Sequence, residues 1–321
     1  MRQVLNPKVS VIIPLYNKAP YIKRAIDSVL SQTIQDFEIL VVNDGSTDEG
    51  EIIVQQCNDS RIRVINQENQ GVSVARNNGV IASNSELIAF LDADDEWLPD
   101  FLETVLRLRN KWPNAGLYGT GWYKHYPNDV IKKCHNNSVS KGDSLVLSPF
   151  KCVVKDGDFP ISASTVLIPK SVIQEVGLFK VGIPYGEDLE YWSRVALYYP
   201  FACNSEAHAI YHKNITGSAT HEHALTLKYW KGEYHPLQET LSSMPEEWIN
   251  QYKYKSDLKL YTELWNFEWA LERMEMGERK KALNLVLSAK SREFRVKKMC
   301  YISYLALPTC IQKIIKHIKL N

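Results

Sequence analysis

Two spacings of apolar residues alternate along the first 115 residues of the chain. Short runs rich in β-branched residues, such as Val9–Ile13, are typical of buried strands, whereas apolar residues that recur every three or four positions indicate one face of a helix. Strands are predicted at residues 9–13, 37–42, 61–65 and 86–91, and helices at about 20–31, 48–56, 71–82 and 99–111. This order predicts strand–helix–strand units around a parallel sheet.

The pattern changes after residue 111. Residues 112–165 are rich in Gly, Pro, Asn, Lys and aromatic residues without a sustained period, which predicts loops and short strands that line a pocket. A strand at 165–168 and helices at 170–176 and 188–199 are predicted next, and the sequence is helix-like from about residue 225.

A cluster of Gly, Ser, Thr and His at residues 215–224 predicts a domain boundary. We therefore expect a first domain at residues 1–220, with halves at 1–115 and 116–220, and a helical C-terminal region at residues 221–321. The whole chain has 38 Lys+Arg against 37 Asp+Glu, a net charge of +1. This balance gives no general electrostatic reason to expect a nucleic-acid partner.

Positive charge is concentrated in a basic tail, residues 290–321, which carries a net charge of +7 and leaves −6 for the rest of the chain. Within it, isoleucines fall on one face of a predicted helix and lysines on the other: Ile311, Ile314, Ile315 and Ile318 against Lys313 and Lys316. Such a helix resembles an interfacial anchor on anionic lipid. The alternative is an ordinary helix that packs on the first domain or on a second copy of the chain, in a homodimer.

The six cysteines form no CxxC pair and no zinc-ligand spacing, so we expect reduced thiols. The N-terminal segment reaches Pro14 after five consecutive apolar or small residues, too few for the apolar region of a secretory signal. The longest uncharged run, residues 299–312, is shorter than the ~20 residues that span a bilayer. We therefore expect a cytoplasmic location, either free or peripheral on the inner face of the plasma membrane.

Three carboxylates, Asp92, Asp94 and Asp95, follow the strand predicted at residues 86–91. Carboxylates beside a buried strand are costly without a cation or several hydrogen-bond donors. Asp92 and Asp94 are two positions apart, so they are predicted to point to one side at the carboxyl edge of the sheet, where open α/β folds bind ligands. That arrangement suits Mg²⁺ or Mn²⁺. The alternative is that Asp95 caps the following helix and the other two are solvated.

Two neighbouring strands also end in polar residues, at 14–17 and at 43–48. Asp44 could accept a hydrogen bond from a base or a ribose, and Gly45 would let the backbone pass closely. The alternative is an Asx turn before a helix capped by Asp48. The sequence contains neither GxxxxGK[ST] nor GxGxxG, so a phosphate-binding loop of those kinds is excluded.

Five segments in this order resemble the family 2 glycosyltransferases. They are Val11–Asn17, Val42–Asp48, Asn69–Asn77, Leu91–Asp95 and Gly186–Glu190, within a resemblance that covers roughly residues 8–215. Members of this family are inverting enzymes of the GT-A fold that use nucleotide-diphosphate sugars. The resemblance implies an α/β protein with a Rossmann-like, mostly parallel central sheet flanked by helices, here with a helical C-terminal extension. Residues 1–115 would bind the nucleotide sugar and residues 116–220 the acceptor.

The resemblance also implies roles for single residues. Those expected to contact the nucleotide sugar are Pro14, Tyr16, Asn17, Asp44, Gly45, Arg76, Asp92 and Ala93, with Asp44 at a uracil edge. Asp94 and His212 are expected to bind the Mn²⁺ or Mg²⁺ ion that bridges the two phosphates. Without the motif around them, Arg76 would be interpreted as part of a surface salt bridge and His212 as a structural histidine.

An inverting transfer needs a carboxylate that takes the proton of the acceptor hydroxyl on the side opposite the leaving diphosphate. The resemblance makes Asp188 this base, with Glu187 orienting it or binding the acceptor. The alternative is that Asp188 merely begins a helix. Aromatic residues that could stack on sugar rings are Trp97, Trp122, Tyr123, Tyr126, Tyr185 and Trp192, although the helical spacing of Trp192 favours a core position.

The implied activity is transfer of one hexosyl or N-acetylhexosaminyl group from a UDP-linked donor. The acceptor would be a hydroxyl of a cell-surface glycan precursor of the lipopolysaccharide, capsule or exopolysaccharide type, free or linked to a lipid. Processive members carry Gln-x-x-Arg-Trp and transmembrane helices, and neither occurs in this sequence, which favours a single transfer. Two other function classes are a metal-dependent nucleotidyltransferase, which releases pyrophosphate, and a non-catalytic nucleotide-binding scaffold, which turns over no donor.

Overall fold

The computed structural model describes residues 6–126, 129–134, 137–183, 186–213 and 236–307. The chain divides into two compact units, residues 1–225 and 226–321. In the described residues, the first unit combines a sheet with surrounding helices, and the second is helical. Free thiols are present at Cys57, Cys134, Cys152, Cys203 and Cys300.

Ten strands of the described residues form one sheet. They are β1 (Val9–Leu15), β2 (Phe37–Asp44), β3 (Ile62–Gln67), β4 (Leu87–Phe90), β5 (Glu96–Trp97), β6 (Leu117–Tyr126), β7 (Val130–Lys133), β8 (Asp143–Val146), β9 (Val166–Pro169) and β10 (Phe201–His212). Their spatial order is β3-β2-β1-β4-β9-β6-β10-β5, with β7 beside β6 and β8 beside β10.

Six of these strands run in the same direction. The neighbours β3, β2, β1 and β4 are parallel to one another. β9 is antiparallel to both β4 and β6, so β6 has the direction of β4, and β10 is parallel to β6. The carboxyl ends of β1, β2, β4, β6 and β10 therefore lie along one edge of the sheet. This architecture confirms the predicted α/β class with a mostly parallel central sheet.

Seven helices are described in the first unit: α1 (Ala19–Leu30), α2 (Gly50–Gln56), α3 (Val72–Ala82), α4 (Phe101–Lys111), α5 (Pro149–Asp156), α6 (Lys170–Val176) and α7 (Glu187–Tyr198). α1 buries Ile22, Ile26 and Val29 in the core that it shares with β1 and β2. α3 packs so closely on the sheet that a Cβ at Gly79 would lie 2.5 Å from Cγ2 of Ile12. The sequence therefore needs a glycine at this point of α3.

The sequence does not predict β6 or β10, the two longest strands of the described sheet. β6 contains Gly119, where a Cβ would lie 2.3 Å from Cγ2 of Ile161, and Gly121, which is packed against backbone oxygens. The pairing of β10 with β6 shifts register twice between Asn204 and Ile210. Glycines weaken the strand signal of β6, so residues 112–165 are predicted only as loops and short strands. Register shifts break the period of two in β10, so no strand is predicted at residues 201–212.

The second unit contains α8 (Pro236–Ser242), α9 (Glu246–Gln251), α10 (Lys255–Glu275), α11 (Arg279–Ser288) and α12 (Arg295–Ala306), with a 3₁₀ turn at Arg292–Phe294. Phe267 and Ala270 of α10, Val286 of α11 and Leu305 of α12 share one apolar core. The first part of the basic tail is thus built into this core.

Two sequence predictions lie outside the described residues: the boundary at residues 215–224, and the helix of isoleucines and lysines that follows residue 307. Among the described helices, none combines the length and the apolar character needed to cross a bilayer.

Candidate active site

A cleft of about 540 Å³ lies at the edge of the sheet where β1, β2, β4, β6 and β10 end. The starts of α3 and α7 and the loop of residues 158–164 complete its walls. Most of the site residues predicted from the sequence line it: Pro14, Tyr16, Asp44, Arg76, Asp92, Ala93, Asp94, Glu187 and Asp188. Asn17, Gly45 and His212 are not part of this lining.

Asp44, the last residue of β2, is buried and shapes the loop before α3. Its Oδ1 accepts hydrogen bonds from Gln67 Nε2 at 2.7 Å and from the backbone N–H of Gln70 at 2.8 Å. Its Oδ2 accepts one from the backbone N–H of Gly71 at 2.9 Å. A carboxylate has about four acceptor sites, so one is left for a ligand in the cleft.

Asn17 and Gly45 fasten the loops behind the cleft. Asn17 has a left-handed backbone (φ 51°), and its Oδ1 accepts a hydrogen bond from the N–H of Thr47 at 2.8 Å. The N–H of Asn17 donates to Ser46 Oγ at 3.1 Å. Gly45 also has a positive φ of 70°, and a Cβ there would lie 2.8 Å from the backbone nitrogen of Asn69. The hydrogen bonds of Asn17 therefore hold the loops after β1 and β2 together, and Gly45 lets the loop after β2 pass close to Asn69, after β3.

Arg76 of α3 joins the acidic turn after β4 to the start of α7. Its Nη2 lies 2.8 Å from Asp92 Oδ1 and its Nη1 lies 2.6 Å from Glu187 Oε1, with the side chain only 3% exposed. Burial lowers the pKa of the guanidinium, but the charges of Asp92, Glu187 and Asp188 together raise it by more, so the group stays charged. The ion pair is therefore buried, and it positions two acidic segments relative to each other.

Asp94 is paired with Lys18, a residue that the sequence did not single out. Lys18 Nζ lies 2.8 Å from Asp94 Oδ2, and the two side chains are 11% and 14% exposed. The only sequence signal for this pair is that Lys18 directly follows the Val11–Asn17 segment.

Asp95 is buried beside β10. Its carboxylate accepts hydrogen bonds from Ser164 Oγ and from the backbone N–H of His212, the latter at 3.1 Å. Burial, followed by the charges of Asp94 and Asp92, raises its pKa well above the usual range. The alternative that Asp95 caps a helix is wrong, because α4 begins only at Phe101.

The chemistry of the acidic turn, residues 92–95, is compatible with a divalent ion. Asp92 and Asp94 line the cleft and supply the carboxylate oxygens that Mg²⁺ and Mn²⁺ prefer. The described part of the chain contains no group of three or more His, Cys, Asp or Glu that could hold a metal. The ion would thus take one or two carboxylates, with phosphate and water as further ligands. Asp94 can bind such an ion only when the ammonium group of Lys18 moves away from its carboxylate.

His212 faces away from the acidic turn. Tyr211, before it on β10, and Lys213, directly after β10, line the cleft, and successive side chains of a strand point to opposite faces. His212 Nε2 lies 2.9 Å from Glu96 Oε1, and its Nδ1 lies 3.0 Å from Nδ1 of His125. This position gives no support to the metal role predicted for His212. Had β10 been predicted as a strand, its period of two would have placed His212 on the opposite face from Tyr211 and Lys213.

Asp188 is the second residue of α7 and lines the cleft beside Glu187. Its Oδ1 accepts a hydrogen bond from the N–H of Leu189 at 2.8 Å. Burial and then the charge of Glu187 raise the pKa of Asp188 to about 7, although Arg76 acts in the opposite direction. Asp188 therefore does lie at a helix start, as the alternative has it, and it can also exchange a proton near neutral pH.

The aromatic candidates divide between cleft and core. Trp122 lines the cleft. Trp97 is buried and stacks on Phe101 with ring centroids 4.2 Å apart, and Trp192 is buried in the core as its helical spacing predicted. Tyr123 and Tyr126 lie on β6 outside the lining, and Tyr185 lies outside the described residues.

Two lysines in the cleft, Lys124 and Lys213, were missed by the sequence analysis. They lie on β6 and directly after β10, and neither strand was predicted. The one signal for Lys213 is that it follows His212.

Comparison with known sequences finds similarity to glycosyltransferases in the first unit. The model of glycosyl transferase family 2 matches residues 10–156. An uncharacterized glycosyltransferase of Rickettsia prowazekii is 34% identical over 197 residues, which are 60% of this chain and 59% of that protein. An uncharacterized glycosyltransferase of Nostoc sp. is 46% identical over 104 residues, 32% of each chain. The chain thus spans less than two thirds of the length of these relatives.

Comparison with solved structures shows the same fold. S. aureus TarS residues 1–349, crystallised in complex with UDP-GlcNAc, aligns with a TM-score of 0.65 over 87% of this chain and 79% of TarS 1–349, at 17% identity. A longer TarS structure aligns with a TM-score of 0.60 over 89% of this chain and 50% of that one. The fold is that of a GT-A glycosyltransferase. Residues 10–156, a little under half of the chain, thus match the glycosyl transferase family 2.

Proposed function

We propose that the protein is an inverting glycosyltransferase that moves one sugar from a UDP-linked donor to a hydroxyl group of a cell-surface glycan precursor. The observation that carries this proposal is Asp188, with a pKa of about 7, in the same cleft as the acidic turn. Transfer needs a base for the acceptor and compensation for the charge of the diphosphate, and the cleft offers groups for both. The UDP-GlcNAc in the TarS complex supports a UDP-sugar donor for this fold.

The nucleotide would bind at the ends of β1 and β2. Pro14 and Tyr16 form one wall there. The carboxylate of Asp44 has one remaining hydrogen-bond acceptor position, which can accept from the N–H of a uracil ring. Behind this wall, the hydrogen bond from the N–H of Thr47 to Asn17 Oδ1 joins the loop after β1 to the loop after β2.

Asp188 acts as the general base in its deprotonated form. The acceptor oxygen forms a bond to the anomeric carbon while its proton moves to a carboxylate oxygen of Asp188. The bond from that carbon to the diphosphate oxygen breaks, and the nucleoside diphosphate leaves with the electron pair. Attack from the far face inverts the configuration. Arg76 is a positioning residue, because it holds Glu187 and with it the start of α7.

Asp94, with Asp92 beside it, would hold Mn²⁺ or Mg²⁺. Such an ion would supply positive charge that stabilises a diphosphate leaving group. Lys18, released from Asp94, would remain at the wall of the cleft as a positive charge for the same anion.

Two substitutions separate these roles. Asp188→Asn is expected to leave donor binding within about twofold and to lower kcat by about 100-fold or more, because only the base is lost. Asp94→Asn is expected to abolish the part of UDP binding that depends on Mn²⁺. Binding is measured by calorimetry and turnover by release of nucleoside diphosphate. The control is Asp27→Asn on the exposed face of α1, and activity equal to the parent in both site variants would remove the assigned site.

Product analysis distinguishes the other function classes. A nucleotidyltransferase that uses the same carboxylates releases pyrophosphate, and a scaffold binds nucleotide without turnover. A thermal-shift screen of nucleotide sugars with Mn²⁺ identifies the donor, since a ligand that binds the folded form raises Tm.

A further inference from the structure

The acidic turn, residues 92–95, is held from two sides. On one side, Arg24 of α1 donates a hydrogen bond to the carbonyl oxygen of Asp94, and Lys18, just before α1, pairs with the carboxylate of Asp94. On the other side lies Ser164, which lines the cleft at the end of the loop of residues 158–164. Ser164 is buried, with 2% of its surface exposed.

The antiparallel direction of β9 brings Ser164 to this position. The register that pairs Phe90 of β4 with Val166 of β9 places Asp92 opposite Ser164 two residues further on. The start of β9 therefore lies beside the carboxyl end of β4, at the cleft edge of the sheet. A strand parallel to β4 would have its start at the other edge.

Ser164 forms hydrogen bonds with three residues of the segment 92–97. Its Oγ accepts from the backbone N–H of Asp92 at 3.1 Å and donates to Asp95 Oδ2 at 2.5 Å. Its carbonyl oxygen accepts from Nε1 of Trp97 at 2.6 Å. A hydroxyl group can accept and donate at the same time, so one side chain holds both ends of the acidic turn.

These hydrogen bonds control where the cleft carboxylates lie. Without the hydroxyl group, the N–H of Asp92 would lose this acceptor, and the buried Asp95 would lose the donor at Oδ2. Buried polar groups that lose a partner are costly, so the main chain of the turn would shift to find other partners. Asp92 and Asp94 both line the cleft from this turn, so such a shift would move both carboxylates.

We propose that Ser164 is a positioning residue for the divalent ion: its hydroxyl group holds the acidic turn so that the carboxylates of Asp92 and Asp94 are in place before the ion binds. The inference rests on the proposed function, in which these two residues hold Mn²⁺ or Mg²⁺, and it adds the residue that orients them. Ser164 acts through the turn and does not touch the ion. Residues that orient metal ligands in this way change metal affinity by about 10- to 100-fold when they are substituted.

Ser10 provides a matched control at the opposite edge of the sheet. It is buried, and its Oγ also donates to a carboxylate, Glu38 Oε1, at 2.6 Å and accepts from a backbone N–H, that of Ser85, at 3.2 Å. Ser10→Ala therefore removes hydrogen bonds of the same kind outside the cleft. A general loss of stability should appear in both Ala variants, whereas loss of ion binding should appear only in Ser164→Ala.

The test measures ion binding and does not depend on turnover. Electron paramagnetic resonance of free Mn²⁺, without and with UDP, gives the affinity of the full chain and of Ser164→Ala, Ser164→Cys, Ser164→Thr and Ser10→Ala. Hydrogen exchange of single amides, followed by nuclear magnetic resonance, reports on the N–H of Asp92 and of Ser85. Circular dichroism and Tm establish that each variant is folded.

Ser164→Ala is expected to weaken Mn²⁺ binding by about tenfold or more and to speed up exchange of the Asp92 amide. Ser164→Cys keeps the shape of the side chain but is a weak donor, so it should change both quantities in the same direction. Ser164→Thr should retain Mn²⁺ binding, because it keeps the hydroxyl group. Ser10→Ala should speed up exchange at Ser85 and bind Mn²⁺ as the parent does.

Equal Mn²⁺ affinity in the parent and in the Ala and Cys variants of Ser164, or the same loss in Ser10→Ala, overturns the inference. Unchanged exchange of the Asp92 amide in these variants of Ser164 also overturns it. A parent that transfers sugar but binds no Mn²⁺ keeps the proposed function and removes the role of Ser164. A protein whose Mn²⁺ binding depends on Ser164 but which transfers no sugar keeps the positioning role and loses the proposed activity.

Discussion

Arg76 couples the charges of the site through one buried side chain. It pairs with Asp92 and Glu187, and its charge also acts on Asp188. The charges of Glu187 and Asp92 raise the pKa of Asp188, and the charge of Arg76 lowers it. The proton affinity of Asp188 is a property of the set, so it can be shifted without touching Asp188 itself.

Glu187→Gln is expected to shift the acid limb of the pH–rate profile to lower pH. The charge of Glu187 is, after burial, the next cause that raises the pKa of Asp188 to about 7. Removing it lowers that pKa, so Asp188 is deprotonated at a lower pH, by about one pH unit. The measurement is kcat/KM against pH from 5 to 9.

The matched control is Glu190→Gln, three residues further along α7, whose carboxylate lies against Arg194 and Lys180. An acid limb at the same pH in the parent and in Glu187→Gln would mean that a group other than Asp188 titrates in the reaction.

Lys18→Met is expected to strengthen Mn²⁺ binding in the absence of nucleotide. In the parent, the ion and the ammonium group of Lys18 compete for Asp94, whose Oδ2 lies 2.8 Å from Nζ. Loss of that competitor in a largely buried site is worth about tenfold or more in affinity. Electron paramagnetic resonance of free Mn²⁺ measures the affinity, and Lys23→Met, on the exposed face of α1, is the control. Equal affinity in the parent and in Lys18→Met would contradict the competition.

The sequence predicted acidic residues that line the cleft but not the cations that pair with them. Asp92, Asp94 and Asp188 stand in motifs that can be read along the chain. Their partners are set by folding: Arg76 is 16 residues from Asp92 and 111 residues from Glu187. Ion pairs across such separations depend on how α3, α7 and the acidic turn meet, and a linear pattern does not contain that information.

At the scale of elements, the first half of the sheet was predictable and the second was not. β1 to β4 are short apolar runs separated by amphipathic helices, so each element agrees with its local pattern. β6 and β10 depend instead on contacts with each other, on close packing at Gly119 and on register shifts. The cleft wall with Lys124 and Lys213 is missing from the sequence prediction for the same reason.

Glu38 links the amino ends of four strands. Its carboxylate accepts hydrogen bonds from Ser10 Oγ at 2.6 Å, from Arg63 Nη1 at 2.9 Å and from the N–H and side chain of Asn84 at 2.7 and 3.0 Å. Burial raises its pKa, but these donors together outweigh burial and hold the pKa below the usual 4.5. The charged carboxylate therefore stabilises the sheet above the pKa of the unfolded state.

Glu38→Gln is expected to lower the free energy of unfolding at pH 7 by about 1–3 kcal/mol, because buried donors lose a charged acceptor. The stabilisation by the carboxylate is lost as the pH falls through the lowered pKa of Glu38, so the difference from the parent should shrink below pH 4. Urea unfolding at pH 7 and at low pH measures the difference in free energy of unfolding between the parent and Glu38→Gln. Exposed Glu86→Gln serves as the control, and a difference that stays constant with pH would show that ionisation of Glu38 is not involved.

At the scale of the whole molecule, the basic tail has two parts with different physical roles. Residues 290–306 contribute α12, and with it Leu305, to the core of the second unit. Removing all of residues 290–321 would therefore damage that core, and loss of membrane binding could not be assigned to the basic helix.

Deletion of residues 308–321 alone is the appropriate test of the anchor. It removes Lys313, Lys316, Lys319 and the isoleucine face while leaving α12 in place. The truncated chain is expected to lose most of its sedimentation with vesicles that contain phosphatidylglycerol, and to sediment like the parent with neutral vesicles. Unchanged sedimentation with anionic vesicles would favour the alternative, a helix that packs on protein.

Because six strands run in the same direction, the cleft lies at one edge of the sheet. The hydrogen bonds of Glu38, which stabilise the fold, lie at the opposite edge. Glu38 and Asp44 lie six residues apart on β2, which is about 20 Å at 3.3 Å per residue. Substitutions at the two ends of the sheet should therefore act additively. Substitutions at the cleft edge can accordingly change substrate preference during evolution, while the residues at the opposite edge keep Tm unchanged.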